Sequence, residues 1–366
     1  MNDNRLAKLE LNTQIIIVLL TIICLVVFGR TLKDFSSILL PFVFAIYLTF
    51  LLNPVIDLFD KLHSPRVLSI ILTSIMVLLL IVLIGSVIKD SIDSFVVEFP
   101  KYEKRIDSIT DDAMDLLHIK QVDASDDSIN AISPEIKAVL DNFSITNLLG
   151  NLVSSISNIL SNAFLVLIVL LFLLIGRHTL TKKINVAFHG EMSEKISSII
   201  TNINKQIQKY LVAKTLISLI TALVTMIVLI LFDLEFVAIW VLLTFLLNFI
   251  PSVGSVIAAI LPLIMALVQY DSLATVGWLG LCLAAVQFTI GNVVEPKLMG
   301  KQINLSPVMI MFALIFWGWQ WGIIGMLMAV PLTVMINITL LNIPKLRFIS
   351  VFMSANPEEQ IPDPNK

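Results

Sequence analysis

The sequence GNVVEPKLMGKQINLSP, at residues 291–307, interrupts a long apolar region of the chain. Between Ser272 and Pro344 the only charged residues are Glu295, Lys297 and Lys301, and all three fall in this stretch. Proline lacks the N–H group that a helix interior needs. We therefore predict that the helix preceding this stretch ends at Glu295 and its following proline, and that a new helix starts farther on.

The composition places the chain in a membrane. Of its 366 residues, 57% are hydrophobic and 14% are charged, and the mean hydropathy is +0.95. A soluble domain carries about 25% charged residues. Several uncharged runs have the length needed to cross a hydrocarbon core of about 30 Å. The sequence predicts an all-α, polytopic membrane protein, with candidate spans at 13–28, 35–52, 67–88, 148–175 and 211–232 and a nearly unbroken apolar region at 236–341.

Lysine and arginine residues indicate the orientation of these spans. With the N-terminus inside, thirteen of them fall in cytoplasmic segments, whereas the short external loops hold only Arg30 and Lys33. This bias predicts that both termini lie in the cytoplasm and that the number of spans is even. The first run is not followed by a small-residue cleavage site, so we interpret it as a retained span.

The chain divides into five parts. Residues 89–147 hold thirteen acidic and six basic residues, which predicts a small acidic extracytoplasmic insert of helices. Their aspartates lack the spacing of a calcium loop, and no metal or cofactor site is predicted elsewhere. The parts are 1–88 (three transmembrane helices), 89–147 (the insert), 148–210 (a long transmembrane helix and a cytoplasmic amphipathic helix), 211–344 (the C-terminal transport core) and 345–366 (a cytoplasmic tail).

A second interruption lies at NFIPSVGSV, residues 248–256. Its flanking arms, 236–250 and 256–269, are each about 21–23 Å long as helices, which is less than the membrane core. A re-entrant hairpin and two full crossings both remain open. Irregular backbone at membrane depth is tolerated where it is buried in protein or lines an aqueous cavity. The candidate solute path therefore comprises Asn248, Pro251, Ser252, Gly254, Gln287, Asn292, Glu295, Pro296, Asn304 and Pro307.

The acid at 295 has two interpretations. At the cytoplasmic face it would be an ordinary solvated side chain. Deeper in the membrane, where burial of an acid costs about 2.5–3.5 kcal/mol, it would pair with a cation or handle ions and protons. Farther along, small residues recur at steps of three and four and predict close helix packing at Gly318, Gly322, Gly325 and Ala329. The tryptophans at 317, 319 and 321 are typical of interfacial anchors.

Four segments together resemble the autoinducer-2 exporter family, also described as PerM-like permeases. They are LPFVFAIYLTFLLNPVIDLF (40–59), NFIPSVGSVIAAILPLIMAL (248–267), VVEPKLMGKQINLSP (293–307) and GWQWGIIGMLMAVPL (318–332). The order and spacing match over nearly the whole chain. The resemblance implies about eight transmembrane helices, re-entrant elements, homo-oligomeric assembly and a location in the bacterial cell membrane. It also implies either export of the quorum-sensing molecule autoinducer-2 or, as in other branches, sodium–proton exchange.

Three functions follow as hypotheses. No nucleotide-binding loop, nucleophile elbow or zinc-protease motif is present, so we do not expect an enzyme. The first hypothesis is an exporter or permease for a small polar molecule, with autoinducer-2 as the candidate. The second is a monovalent cation–proton antiporter that uses Glu295. The third is a membrane assembly factor that transports nothing and docks through the acidic insert and the helix at 191–211.

Overall fold

The computed structural model describes residues 29–62, 65, 67–87, 89–91, 162–251, 253–299 and 305–356, with single positions between 16 and 27 and residue 94. Helices dominate these ranges, which contain no strand, and the predicted all-α membrane fold is confirmed. The predicted acidic insert, 89–147, lies almost wholly outside the described residues.

The described helices are numbered here in chain order. They are α1 (Ser36–Lys61), α2 (Val67–Ser91), α3 (Ala163–Ala187), α4 (Glu191–Leu231), α5 (Val237–Leu247), α6 (Val253–Gln269), α7 (Leu273–Thr289), a π-helical turn (Ile290–Val294), α8 (Glu295–Met299), α9 (Pro307–Asn342) and α10 (Arg347–Met353). The helices α1, α2 and α3 share one hydrophobic core around Ala45, Leu170 and Leu174.

The two ends of the bundle can be identified from side-chain contacts. Ser36 at the start of α1, Asn162 beside the start of α3 and Ile324 in α9 line one pocket. We call this end of the bundle the Ser36 end. Because α3 and α4 are joined by the short turn 188–190, α4 runs back toward the Ser36 end.

The longest element, α4, differs from the prediction. The sequence pattern predicts a boundary between an amphipathic helix and a transmembrane span at residues 210–211, whereas the structure has one helix of 41 residues across that point. No glycine or proline interrupts it, so nothing in the backbone ends the helix. It is about 60 Å long, roughly twice the membrane core.

The pair α5–α6 forms a hairpin that opens at the Ser36 end. There, the Gln269 side chain accepts a hydrogen bond from the Glu235 N–H at 2.8 Å and donates one to the Asp233 carbonyl at 2.7 Å. Its tip reaches Ser218, thirteen residues or about 20 Å from the end of α4. With only 11 residues, about 16 Å, α5 is too short to cross a membrane core of about 30 Å. The hairpin is therefore re-entrant.

A second hairpin is hidden within α9. Trp321 and Gly322 have non-helical backbone angles, and Gly322 is left-handed, with φ 63° and ψ −143°. Residues on both sides of this turn meet: a Cβ built on Gly318 would lie 2.9 Å from the Met326 side chain. The start of the first arm also lies close to α10, because the Ser306 N–H donates to the Met353 carbonyl at 2.9 Å. In turn, α10 packs on the second arm, where the Ser350 hydroxyl donates to Asn337 Oδ1 at 2.6 Å. The chain thus reverses direction at Trp321–Gly322.

The tip of this second hairpin lies at the Ser36 end. Gln320 donates from Nε2 to the Gly29 carbonyl at 2.9 Å, and Trp321 donates from Nε1 to the Leu32 carbonyl at 3.2 Å. Lys33 lies over the Trp319 ring, 5.2 Å from its centroid. The two hairpins therefore enter the bundle from opposite ends.

The helix at the opening sequence also differs from the prediction. It does not end at Glu295–Pro296 but passes through a π-helical turn and continues to Met299. In this turn the Glu295 N–H bonds to the Ile290 carbonyl, five residues earlier. The wider turn accommodates a proline without ending the helix, because the hydrogen bonds around it are already rearranged.

Candidate functional site

The centre of the candidate site is an ion pair between α4 and α8. Lys214 Nζ lies 2.6 Å from Glu295 Oε1. The lysine side chain is only 4% exposed, whereas the glutamate is 25% exposed. Of the two alternatives for Glu295, the structure therefore has the paired acid, and its partner is a lysine buried in the bundle.

The π-helical turn positions the carboxylate. One extra residue in a turn rotates every later side chain by about 100° around the helix axis. Glu295 is the first residue after that turn, and α8 and the π turn both pack against α4. Such turns are frequent at functional sites, because they redirect a side chain without ending the helix.

Two tyrosines surround the lysine. Tyr210 precedes Lys214 by one helical turn and is completely buried, and among the described residues its hydroxyl has no hydrogen-bond partner. The Tyr47 hydroxyl on α1 shares a 2.8 Å hydrogen bond with the Thr215 hydroxyl. Both tyrosines belong to the core that also holds Met299. The Lys214–Glu295 ion pair therefore lies among side chains of α1, α4 and α8.

The tip of the re-entrant hairpin reaches the same face of α4. Asn248 donates from Nδ2 to the Ser218 hydroxyl at 3.0 Å. Ser218 follows Lys214 by one helical turn, so the two side chains are neighbours on α4. The next tip residue, Phe249, packs edge-on against Tyr47 at a centroid distance of 6.2 Å. The two interruptions seen in the sequence therefore converge on one stretch of α4.

These residues belong to a continuous polar face of α4. It consists of buried residues at steps of four, four, three and four: Tyr210, Lys214, Ser218, Thr221 and Thr225. The face is about 22 Å long, most of the thickness of a membrane core. A buried polar row of this length within an apolar bundle is the feature expected of a solute or ion path.

The predicted path residues are only partly brought together. Asn248 and Glu295 meet the polar face of α4 directly. Pro251 and Gly254 form the hairpin turn, where a Cβ on Gly254 would overlap the Leu247 carbonyl oxygen. The other predicted residues lie elsewhere: Gln287 is half-buried, Asn292 is exposed with its amide bonded to the Phe288 carbonyl, Pro296 and Pro307 are exposed, and Ser252 and Asn304 fall outside the described residues.

The four predicted packing residues lie in and beside the α9 turn. Gly322 makes the turn itself, and nothing lies within 4 Å of a Cβ built there. Gly325 meets the Trp317 carbonyl across the turn, and Gly318 meets Met326. Ala329 is fully buried farther along the helix. The contacts of Gly318 and Gly325 therefore join the two arms of one hairpin.

Sequence reasoning missed Lys214. This lysine lies within the predicted span 211–232, and no role is predicted for it. A single lysine inside an apolar run is itself a signal, because an unpaired charge is costly in the membrane and requires a partner. Among the described residues, no three histidine, cysteine or acidic side chains gather where they could hold a metal ion.

Comparisons with known proteins agree on the family. Residues 15–345 match the sequence model described as AI-2E family transporter. The AI-2 transport protein TqsA of Escherichia coli strain K12 is 30% identical over an alignment of 368 positions, which covers 94% of this chain and 97% of that protein. A Borreliella burgdorferi protein whose name describes it as a transport protein is 31% identical, covering 92% of this chain and 90% of its own.

A similarly named protein of Haemophilus influenzae is 26% identical over 329 residues, with 89% and 92% coverage. The family match, residues 15–345, extends across the N-terminal helices, both hairpins and the positions of Lys214 and Glu295. The predicted family is thereby confirmed: the chain is a multi-pass membrane transport protein that belongs to the AI-2E transporter family.

Proposed function

We propose that this protein exports a small, polar, uncharged molecule along the polar face of α4, with autoinducer-2 as the candidate solute. The observation that carries the proposal is the convergence of Glu295 and Asn248 on Lys214 and Ser218. The name of the Escherichia coli relative, AI-2 transport protein, supports the choice of solute. In this proposal the solute crosses without chemical change, and no cofactor takes part.

The chemistry of the site fits a hydroxyl-bearing molecule. The ion pair neutralises its own two charges, so the remaining groups offer hydrogen bonds and little net charge. Those groups are hydroxyls and an amide, from Tyr210, Ser218, Thr221 and Asn248. A solute with several hydroxyls could exchange its bonds to water for bonds to these groups.

The orientation and assembly are also part of the proposal. The positive-inside bias favours both termini in the cytoplasm, so the Ser36 end would face outward. The Lys214–Glu295 pair would then lie nearer the cytoplasm, and the re-entrant hairpin would close the outer part of the path. Assembly as a homo-oligomer is proposed from the family resemblance.

Autoinducer-2 flux measured with purified protein in vesicles tests the proposal. Vesicles loaded with autoinducer-2 should release it faster with the protein than without it, and Asn248→Leu should slow that release. A deletion strain should retain more autoinducer-2 and release less into its medium. Unchanged release in vesicles together with unchanged distribution in cells would contradict export of this solute.

A second candidate function is monovalent cation–proton exchange, favoured by the pairing of Glu295 with a buried lysine. In such an exchange, a sodium ion or proton bound at Glu295 would replace Lys214 as the counter-charge. Sodium-dependent proton flux in vesicles tests this candidate. The flux should disappear with Glu295→Gln, and a flux that this substitution leaves untouched would remove Glu295 from the mechanism.

A further inference from the structure

Two buried threonines depart from the pattern of six other helical threonines. Each of those six hydroxyls donates to the carbonyl four residues earlier: Thr31, Thr49, Thr73, Thr221, Thr333 and Thr339. This local bond is the usual way for a helix to satisfy such a hydroxyl. Thr225 and Thr244 are 1% and 0% exposed, yet their hydroxyls make no hydrogen bond to any described residue.

Both threonines lie where α5 packs along α4. Thr225 is the last residue of the polar face of α4, and Thr244 precedes Asn248 by one turn of α5. Because the two helices are antiparallel and Asn248 bonds to Ser218, Thr244 lies at about the level of Thr221 to Thr225. We call the contact between α4 and α5 that includes Thr225 and Thr244 the α4–α5 seam. It extends from the ion pair toward the Ser36 end.

The seam offers hydrogen bonds without charge. No acidic or basic residue occurs in 215–231 of α4 or in 237–247 of α5. A buried hydroxyl without a partner is unfavourable, so two of them in one seam require an explanation outside the packing itself. A ligand with hydroxyl groups satisfies both, whereas an ion would find no counter-charge there.

We propose that the α4–α5 seam binds a small uncharged polyol, and that the Thr225 and Thr244 hydroxyls are its specificity-determining contacts. The inference rests on the proposed function, because it assigns the outer half of the same path. It adds two residues that neither the sequence motifs nor the ion pair indicate, and it narrows the uncharged hydroxyl-bearing solute of that function to a polyol. Water carries the same hydroxyl chemistry and is the alternative occupant.

The test uses the isosteric double variant Thr225→Val, Thr244→Val in full-length protein. Initial rates of autoinducer-2 and radiolabelled ribitol flux are measured in vesicles. We expect the double variant to lose roughly tenfold in rate, because each lost neutral hydrogen bond weakens binding a few-fold. Its thermal midpoint should equal or exceed that of the wild type, because no bond within the described protein is lost.

Thr73→Val is the matched control. Thr73 is equally buried, but its hydroxyl bonds to the Ser69 carbonyl at 2.7 Å and lies in α2, away from the seam. This variant should lower the thermal midpoint and leave the flux within twofold of the wild type. The two variants are thus expected to have opposite effects on stability and on transport.

Failure of this inference and failure of the proposed function give different results. If the wild type moves autoinducer-2 or ribitol and the double variant does so equally fast, the seam does not bind the solute. If the wild type moves neither, the proposed function fails, and cryo-electron microscopy maps with ribitol added decide about the seam. Density for ribitol against both hydroxyls supports the inference. The inference is overturned if the seam shows no density, or if the same density is present without ribitol and is therefore water.

Discussion

Lys214 Nζ and Glu295 Oε1, 81 residues apart in the chain, lie 2.6 Å from each other between α4 and the segment that follows the π-helical turn. Their exposures are unequal, because the lysine side chain is 4% exposed and the glutamate 25%. The lysine therefore depends on the glutamate for its stabilisation, whereas the glutamate retains some access to its surroundings. Because of this asymmetry, substitution of the lysine and substitution of the glutamate should have different effects on stability.

We expect Glu295→Gln to destabilise the protein more than Lys214→Gln does. Removal of one partner from a buried ion pair costs about 3–5 kcal/mol, because the other charge is left uncompensated. Glu295→Gln leaves the well-buried lysine in that state and should approach this range. Lys214→Gln leaves a partly exposed carboxylate and should cost about half as much. Thermal unfolding in detergent measures both.

The double variant Lys214→Gln, Glu295→Gln is the control for this comparison. Because it leaves no uncompensated charge, it should be more stable than Glu295→Gln alone. Transport should remain impaired in the double variant if the charges serve the path. If both single substitutions destabilise the protein equally, the two side chains are equally buried, and the asymmetry of the pair is contradicted.

One glycine of the re-entrant hairpin and a matched glycine in α7 give a second prediction. Gly254→Ala should destabilise strongly, because a Cβ there would overlap the Leu247 carbonyl oxygen, a backbone atom that cannot move aside. Gly277→Ala is the matched control, because it lies within α7 and nothing is within 4 Å of its Cβ. Alanine there should be neutral or stabilise by up to about 1 kcal/mol.

Expression yield and the thermal midpoint of each purified variant measure the difference. Wild-type values for Gly254→Ala would mean that the hairpin turn is looser than the structure has it. A loss for Gly277→Ala would indicate an interface on α7, formed with another subunit.

Hydropathy placed an apolar run in each of α1 to α4, because length and apolar composition decide membrane insertion. The bounds are less accurate: α3 is Ala163–Ala187 against the predicted span 148–175, and α4 begins twenty residues before the predicted span 211–232. Long-range contacts were not predictable in the same way. Lys214 occurs in an apolar run, and only the fold shows that Glu295 is its partner. The break at Trp321–Gly322 lies within WGWQWG, 317–322, where the sequence divides the apolar region. The reversal of direction there was not predicted, because a glycine alone does not distinguish close packing from a turn.

The opening sequence shows the same limit. Proline predicts a disturbance of the helix, and the disturbance is present, but sequence alone did not distinguish a helix end from a π-helical turn. The arms at 236–269 are short for two full membrane crossings, but their length alone did not decide between two crossings and a re-entrant hairpin. The Asn248–Ser218 bond decides it, because it fixes the depth of the tip against α4.

The reversal in α9 gives a third prediction. Gly322 has φ 63° and ψ −143°, a conformation that residues with a Cβ rarely adopt. We expect Gly322→Ala to cost about 1–3 kcal/mol, although nothing lies within 4 Å of the added atom. Gly176→Ala is the control, because that glycine is helical in α3 and equally uncrowded.

A comparison of thermal midpoints separates backbone strain from crowding in this pair. If both substitutions are tolerated equally, the turn at Gly322 does not require a left-handed conformation. Loss at both positions would instead indicate packing against another subunit.

Access of water to the path is the last prediction. Single cysteines at Pro251 and Pro296 should react with a membrane-impermeant thiol reagent, after Cys24 and Cys282 are replaced by serine. Pro251 is half-buried in the hairpin turn and Pro296 is exposed beside the ion pair. The thiolate is the form that reacts, and it forms where water can solvate it, so both cysteines should react if the path is aqueous. Added autoinducer-2 should slow the labelling at Pro251.

Val256→Cys and Ala329→Cys are the controls for this experiment. Val256 is 56% exposed on α6, just beyond the hairpin turn, so a thiol there would face lipid and should not react with a hydrophilic reagent. Ala329 is fully buried and should also be silent. Labelling at Pro251 and Pro296 with silence at both controls distinguishes an aqueous path from general exposure of the bundle. If neither proline position reacts from either side of the membrane, water does not reach the interrupted helices, and the polar face of α4 cannot be a transport path.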